Sequence, residues 1–349
     1  MSKRSKQSHR TLSLLFVLGG VLFIMAVWFG VRVLGSGVYA DVVTLATTKT
    51  ELMRHPLTGE ALSTTANGEL EFDFDVPWVY ALMIDNSIDA WPQRGVDQAF
   101  LVIEALAEGR IPRFVAFYSS DQSVEVIGPI RSARPYFIDW ASGFSALFAH
   151  VGGSPAALDE LEVAVVFDFN QYYLDEYFWR SYWRYAPHNV YTSTDLLGKG
   201  LATMIEEGKV PSYEYWQFKD DALVESRVDE AVNATVDFGT DEYFVEWKYD
   251  SDLNAYVRFQ GGSQMIMEDG AEIIANNVIV IKTDISVIDA IGRRETRTIG
   301  EGSAEVYQDG TAVVATWEKE SQDKPLKFFD EAGLEIKMNA GVTWIEVIE

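Results

Sequence analysis

The chain has 349 residues, more than one ordinary core takes, and is 48% hydrophobic and 13% aromatic, which excludes a disordered polymer. Its 53 acidic and 28 basic residues leave a formal net charge of -25, which argues against nucleic acid as a partner. No cysteine is present, so disulfides, thiolate metal sites, a cysteine nucleophile and lipidation through cysteine are excluded for this sequence.

In chain order, the basic stretch "MSKRSKQSHR" comes first, followed by an uncharged run from Thr11 to Val31. About twenty helical residues at about 1.5 Å each cover the roughly 30 Å hydrocarbon core of a bilayer. Lys3, Arg4, Lys6 and Arg10 precede the run and only Arg32 follows closely, which predicts a cytoplasmic N-terminus and an extracytoplasmic remainder. Cleavage as a signal peptide near Val38 and Ala40 is the alternative, and the length of the apolar run favours a retained anchor. Residues 1–34 therefore read as a cytoplasmic tip and single-pass anchor in the cell membrane. Residues 35–75 read as a juxtamembrane tether rich in Thr, Gly and Pro.

"WVYALMIDN" then reads as a buried strand ending at Asp85 and Asn86. "GVDQAFLVIEALAEG" is compatible with a helix or a strand. "PRFVAFYS" and "SVEVIG" are expected to form an antiparallel pair. "RSARPYFIDWASG" is expected to be a helix capped by Ser132, and "ALFAHV" a short strand. "GGSPAALDELE" opens another helix, with Ser154 as N-cap and Pro155 as first helical residue. "STDLLGKGLATMIEEG" is a capped amphipathic helix. From about Val236 onward, strand patterns and turns such as "QDGT" and "EAGL" predominate.

These elements predict a mixed α/β (α+β) fold, with layered sheets and helices, a β-rich C-terminal part and one N-terminal transmembrane helix. The expected division is an α/β domain over 76–225 and a β-rich domain over 226–349.

Several ordered blocks carry a resemblance: "HPLTG", "MIDN" with "WPQRGV", "IEALAEGRIPRFVAFY", "GPIRSAR", "HVGGSP" and "RYAPHNVY", then "NNVIV", "GSAEVYQDGTAVVATW" and "GVTWIEVI". Together they make the chain similar to the YerB-like family of bacterial envelope proteins, over nearly everything from His55 onward. The resemblance implies a two-part ectodomain with N-terminal and C-terminal parts, and an extracytoplasmic location. Many relatives look like lipoproteins, whereas this chain would use its hydrophobic helix as anchor. The family carries no established activity, so function rests on residues.

Arg131 and Arg134 are the first candidates. In a helix, their spacing of three would put both guanidiniums on one face beside a positive helix N-terminus, with Ser132 adding a hydroxyl. Two forked donors there suit a phosphate or carboxylate, unless internal carboxylates such as Glu104 or Glu108 already hold them. Gly152 and Gly153 allow close backbone approach to a ligand, while Ser154 reads as a cap rather than a nucleophile. His150 is either a core hydrogen-bonder or a site residue. His188 and Asn189 either orient a ligand, with His188 as acid or base, or fix their loop. Asp85 and Asn86 sit at a strand exit, where α/β proteins place ligand contacts. The aromatics of "YYLDEYFWRSYWRY" form either core and rim, the default expectation, or a platform for stacking glycans. No cofactor motif and no metal set stands out.

The expected function is non-enzymatic: a membrane-anchored extracytoplasmic protein binding an anionic or glycan envelope ligand, or a partner protein, through an Arg-lined cleft. The alternative is an envelope enzyme acting on a phosphorylated or glycosidic cell-wall precursor, with Asp85, Glu104 or His188 as base or metal ligand. Oligomeric state, and the identity of ligand or partner, are not specified by the sequence.

Overall fold

Runs that are apolar at every position, rather than at every second one, are the mark of strands covered on both faces. β1 (Val79–Asp85) is such a run, with all of its residues buried. It lies in a ten-stranded sheet of a computed structural model that describes residues 53–63, 75–228 and 230–349. The expected membrane segment, Thr11–Val31, lies outside those residues; among the described residues no helix is long and apolar enough to cross a membrane.

β2 (Leu101–Glu108), β3 (Ile111–Ser119), β4 (Leu147–His150) and β5 (Phe167–Asn170) complete the first half of the large sheet. Two-residue strands follow, β6 (Trp179–Arg180), β7 (Val190–Tyr191) and β8 (Phe218–Lys219). A smaller, five-stranded sheet is built from β9 (Ala234–Asp237), β10 (Phe244–Asp250), β11 (Ala255–Gln260), β12 (Ser263–Gln264) and β13 (Ile274–Ala275). β14 (Asn277–Lys282) returns to the large sheet, and β15 (Ile285–Val287) with β16 (Arg294–Thr296) forms a separate antiparallel ribbon. β17 (Gly300–Gln308), β18 (Thr311–Lys319), β19 (Lys327–Asp330), the short β20 (Met338–Asn339) and β21 (Thr343–Ile348) end the chain.

The order across the large sheet is β19-β18-β17-β14-β21-β2-β3-β1-β4-β5. The last strand is thus inserted at its centre, parallel to both β14 and β2. Strands from before and after residue 226 share this one sheet.

Alternation along the strands sends side chains to two cores. On one face Ala81, Met83, Ile103 and Phe117 meet Phe137 and Trp140 of α1 (Pro135–Ser142) and Ala157 of α2 (Pro155–Leu161). On the other, Leu82, Ile84, Val102 and Phe114 meet Trp247 and Tyr256 of the smaller sheet and Leu197 of α3 (Thr194–Met204). The result is a mixed α/β, strand-rich stack with three α-helices among the described residues.

Several expectations are borne out and others corrected. Ser154 accepts from the Ala157 N–H at 3.3 Å and Ser193 from Leu196 at 3.2 Å, so α2 and α3 begin at their caps. "GVDQAFLVIEALAEG" contributes a strand, β2. "SVEVIG" forms no strand with β3, whose two neighbours are β1 and β2. α1 begins at Pro135, two residues later than a Ser132 cap requires, because the residue before a proline is driven out of the helical region; Arg134 sits at φ -136°, ψ 151°.

Between the two sheets lies a fully buried ion cluster. Glu104 on β2 and Glu346 on β21 are register partners, which sets their carboxylates side by side. Arg258 of β11 reaches both, Nη2 to Glu104 at 2.6 Å and Nη1 to Glu346 at 2.7 Å. The guanidinium lies 4.7 Å from the Trp344 ring centroid and 5.3 Å from that of Trp247. Burial, reinforced by Glu346 and opposed by Arg258, pushes the Glu104 carboxyl well above its usual range. Arg258→Met strands two carboxyls in the core, and urea unfolding is expected to record a loss of about 3–5 kcal/mol. Adding Glu104→Gln and Glu346→Gln to that variant should recover most of the loss.

Candidate functional site

The exit of β1 is where the charged residues gather. Asp85, its last residue, is buried, and its Oδ1 accepts from the Ser87 backbone N–H at 2.9 Å, closing a local turn. Its Oδ2 faces the Arg131 Nε at 2.9 Å and the His188 Nδ1 at 2.7 Å. Burial pushes the Asp85 carboxyl up, but Arg131, the Ser87 N–H, Arg113 and His188 together bring it below the usual range. Arg131 is 25% exposed, and among the described residues its terminal nitrogens have no protein partner.

His188 presents its other nitrogen outward, with Nε2 3.9 Å from the exposed Asp89 carboxylate. Ser87 Oγ lies 3.1 Å from Nδ1, the nitrogen Asp85 also approaches. A nucleophilic triad needs the serine and the carboxylate on opposite nitrogens, so these three do not make one. They make a carboxylate–histidine pair whose free nitrogen opens on a groove of about 580 Å³, lined by Asp89, Trp183, Arg184, Tyr185, Ala186, His188 and Glu268. Arg184 is committed to the carbonyls of Asp89, Trp91 and Pro92. Asn189 fixes the loop from within, accepting from Arg180 at 2.9 Å and donating to the carbonyls of Ser181 and Arg184.

The aromatic segment departs from the core-packing default. Phe178 is buried, yet Tyr172, Tyr173, Trp179, Tyr182, Trp183 and Tyr185 are all exposed, Tyr185 at 91% and Tyr182 at 92%. These six rings therefore stand on the surface and not in the core.

The other candidates lie elsewhere. Asn86 is fully buried, donating to Glu104 at 3.0 Å and accepting from Trp91 at 2.7 Å and Gln93 at 3.0 Å. It joins the groove's rim to the buried ion cluster and touches no open space. His150 is buried, with Nδ1 2.7 Å from the Gly152 carbonyl and Nε2 2.7 Å from Asp168. Gly152, at φ +60°, is favoured by its left-handed backbone, and the Tyr172 ring lies 2.7 Å from where a Cβ would stand. Gly153 is bridged to Ala133, and Ser154 caps α2.

Arg131 and Arg134 do not share a face. Their segment is extended, so a spacing of three points them to opposite sides. Arg134 is paired with Glu108, which Arg113 also reaches at 3.3 Å. Ser132 gives its carbonyl to Arg113 at 2.7 Å. Glu104 is held by Arg258, not by either of these arginines.

The structure thus brings together Asp85, Arg131 and His188, supported by Asn86 and Asn189. Sequence reasoning passed over Ser87, Asp89, Glu268 and the individual aromatics Trp183 and Tyr185. Only the Asp–Asn–Ser order at a strand exit hinted at the turn. Among the described residues no group of three His, Asp or Glu side chains is placed to hold a metal ion.

A carboxyl whose folded pKa is lowered stabilises the fold above its unfolded pKa, about 4, and loses that contribution as pH falls through the folded value. Asp85→Asn is therefore expected to cost about 2–4 kcal/mol near neutral pH, by leaving Arg131 without its carboxylate partner and removing one of the two acids near Arg113. The cost should shrink towards about pH 2, read from urea midpoints across that range.

Comparison with known proteins fits this architecture. The N-terminal domain of a protein family of unknown function, DUF3048, matches residues 70–207, and its C-terminal domain matches residues 234–345. The "Putative lipoprotein YerB" of Bacillus subtilis (strain 168) is 32% identical over 277 residues, 77% of this chain and 80% of that protein. The crystal structure of the YerB protein from Bacillus subtilis superposes with a TM-score of 0.72 at 30% identity, covering 85% of this chain and 96% of that one. Two domain matches in order, and a shared fold across most of both chains, place the protein in the YerB-like DUF3048 family.

Proposed function

We propose that this protein is a membrane-associated, extracytoplasmic binding protein that takes a glycan of the cell envelope into the groove between Trp183, Tyr185 and His188. The extracytoplasmic setting rests on the name of its Bacillus relative and on the basic-then-apolar N-terminus. Without a cysteine to lipidate, membrane attachment falls to the segment from Thr11 to Val31.

One observation carries the ligand class: aromatic side chains stand exposed beside a groove edged with polar groups. Aromatic faces stack on the C–H faces of sugars, while Asp89, Glu268 and His188 can hydrogen-bond hydroxyls. The charge balance points the same way. Asp89 and Glu268 face the groove, and Arg184 is spent on carbonyls, so a polyanion gains little there. Arg131, with its terminal nitrogens unpartnered, can take a single carboxylate or phosphate substituent. The cleft proposed here is aromatic and not Arg-lined: its lining arginine, Arg184, is held by carbonyls, and Arg131 is linked to it only through the Asp85–His188 pair.

Titration of soluble cell-wall glycan fragments into the wild type and a Trp183→Ala, Tyr185→Ala double variant tests this reading. Loss of two stacking contacts of about 1 kcal/mol each is expected to weaken binding by about thirtyfold. The melting temperature should stay within a few degrees, because both rings are exposed. Equal binding by both proteins, or none by the wild type, would overturn the reading.

The Asp85–His188 pair supports a second reading, an envelope hydrolase of a phosphorylated or glycosidic precursor. Asp85 would hold the imidazole while Nε2 takes a proton from water. That reading expects slow turnover of such substrates, reduced by about a hundredfold or more in His188→Gln. Turnover that is absent, or unchanged in the variant, leaves binding alone.

A further inference from the structure

Arg134 stands not with Arg131 but in other basic company. Strand β16 packs against β2 and α1, which brings Arg294 and Thr296, alternate residues on one face of β16, towards the start of the helix. At the tip of the same ribbon, a Cβ on Gly292 would lie 3.2 Å from the Gly109 nitrogen in the β2–β3 turn. Arg113, Arg134, Arg293 and Arg294 thus meet around one end of β2. Two acids answer them: Glu108 is shared by Arg113 and Arg134, and Asp289 pairs with Arg293 at 3.1 Å.

Arg294 has no protein partner among the described residues, in a chain where acids outnumber bases 53 to 28. Three donors here are buried without any hydrogen-bond acceptor: Arg134 Nε, Arg294 Nε and Thr296 Oγ1. Arg134 is 7% exposed and Thr296 8%, so water does not readily serve them. The guanidiniums also act on one another electrostatically. Burial pushes the Tyr136 phenol up to about 12 against the opposing pull of Arg113, Arg134 and Arg294. Burial likewise lowers Arg134, and Arg293 adds to that shift.

We propose that an oxyanion of phosphate type, a monoester or diester, binds where β16 meets the start of α1, held by Arg134, Arg294 and Thr296. The site uses none of the groove's residues and stands independently of the glycan reading. Arg134 Nη1 and Nη2 already serve Ser132, Ala133 and Glu108, so its Nε, the Arg294 guanidinium and the Thr296 hydroxyl are the donors left over, and a tetrahedral phosphate presents several oxygens to receive them. Such a group can reach the site as free phosphate or as the phosphodiester of a lipid headgroup or envelope polymer.

The test uses the full chain in neutral detergent, titrated calorimetrically with inorganic phosphate and, separately, with the water-soluble diester glycerophosphoglycerol. Arg294→Gln is expected to weaken binding of whichever anion binds by about tenfold. Lys199→Gln, an exposed lysine paired with Asp195 on α3, should leave it unchanged. Affinity should fall with added sodium chloride. Binding of both anions identifies a site that accepts diesters, and binding of phosphate alone a site for the free ion or a monoester; either supports the proposal. If Arg294→Gln does not fold, Arg293→Gln, whose side chain is half-buried beside the site, serves in its place with a smaller loss. No heat from either anion up to tens of millimolar, or equal affinity in wild type and variant, would overturn it.

Discussion

Arg258 is the residue on which the two sheets depend. β2 and β21 run parallel and in register at the centre of the large sheet, and that register puts Glu104 beside Glu346 with no water to separate them. Two adjacent buried carboxyls are untenable without a proton, a cation or both. The cation comes from β11 in the opposite sheet, so the smaller sheet has one admissible position over the larger. Trp247 adds an N–H to Glu346 at 2.8 Å, and Asn86 adds one to Glu104 at 3.0 Å. Through Asn86 the same cluster fixes Trp91 and Gln93. The carbonyls of Trp91 and Pro92 in turn hold Arg184 at the groove. A buried electrostatic constraint is thereby transmitted to a surface loop.

What was legible in the sequence follows local rules. Ser154 and Ser193 cap the helices they precede because a hydroxyl three residues before an N–H satisfies it wherever the chain goes next. The Asp309-Gly310 turn between β17 and β18 is local for the same reason, both residues adopting positive φ. Non-local facts were not legible. Arg258 meets Glu104 across 154 positions and Glu346 across 88, and no window of sequence brings them together. "SVEVIG" has strand-like alternation, yet its backbone pairs with Arg94, Thr192 and Thr194 through isolated bridges and a single hydrogen bond, not through a ladder.

The candidate site divides along the same line. Asp85 at a strand exit was visible because strand ends are local, and His188 because a proline before it signals a loop. The pairing of Arg131 with Arg134 was a helical inference, and it failed at Pro135. Composition marked the stretch from Tyr172 to Tyr185 as aromatic but could not say which rings face outward. Phe178 turns inward while Tyr182 and Trp183 do not, a matter of which loop conformation the surrounding strands permit.

The arginines show how so acidic a chain organises positive charge. Arg258 and Arg113 are buried against carboxylates, and Arg131 meets Asp85 at Nε while its far end stays open. In the groove, the protein's own acids already answer the cations, which leaves aromatic surface and polar edges. At β16, by contrast, donors remain unanswered. Arg113 lies opposite Asp85 in the β1–β3 register and shares Glu108 with Arg134, which places it between the two surfaces.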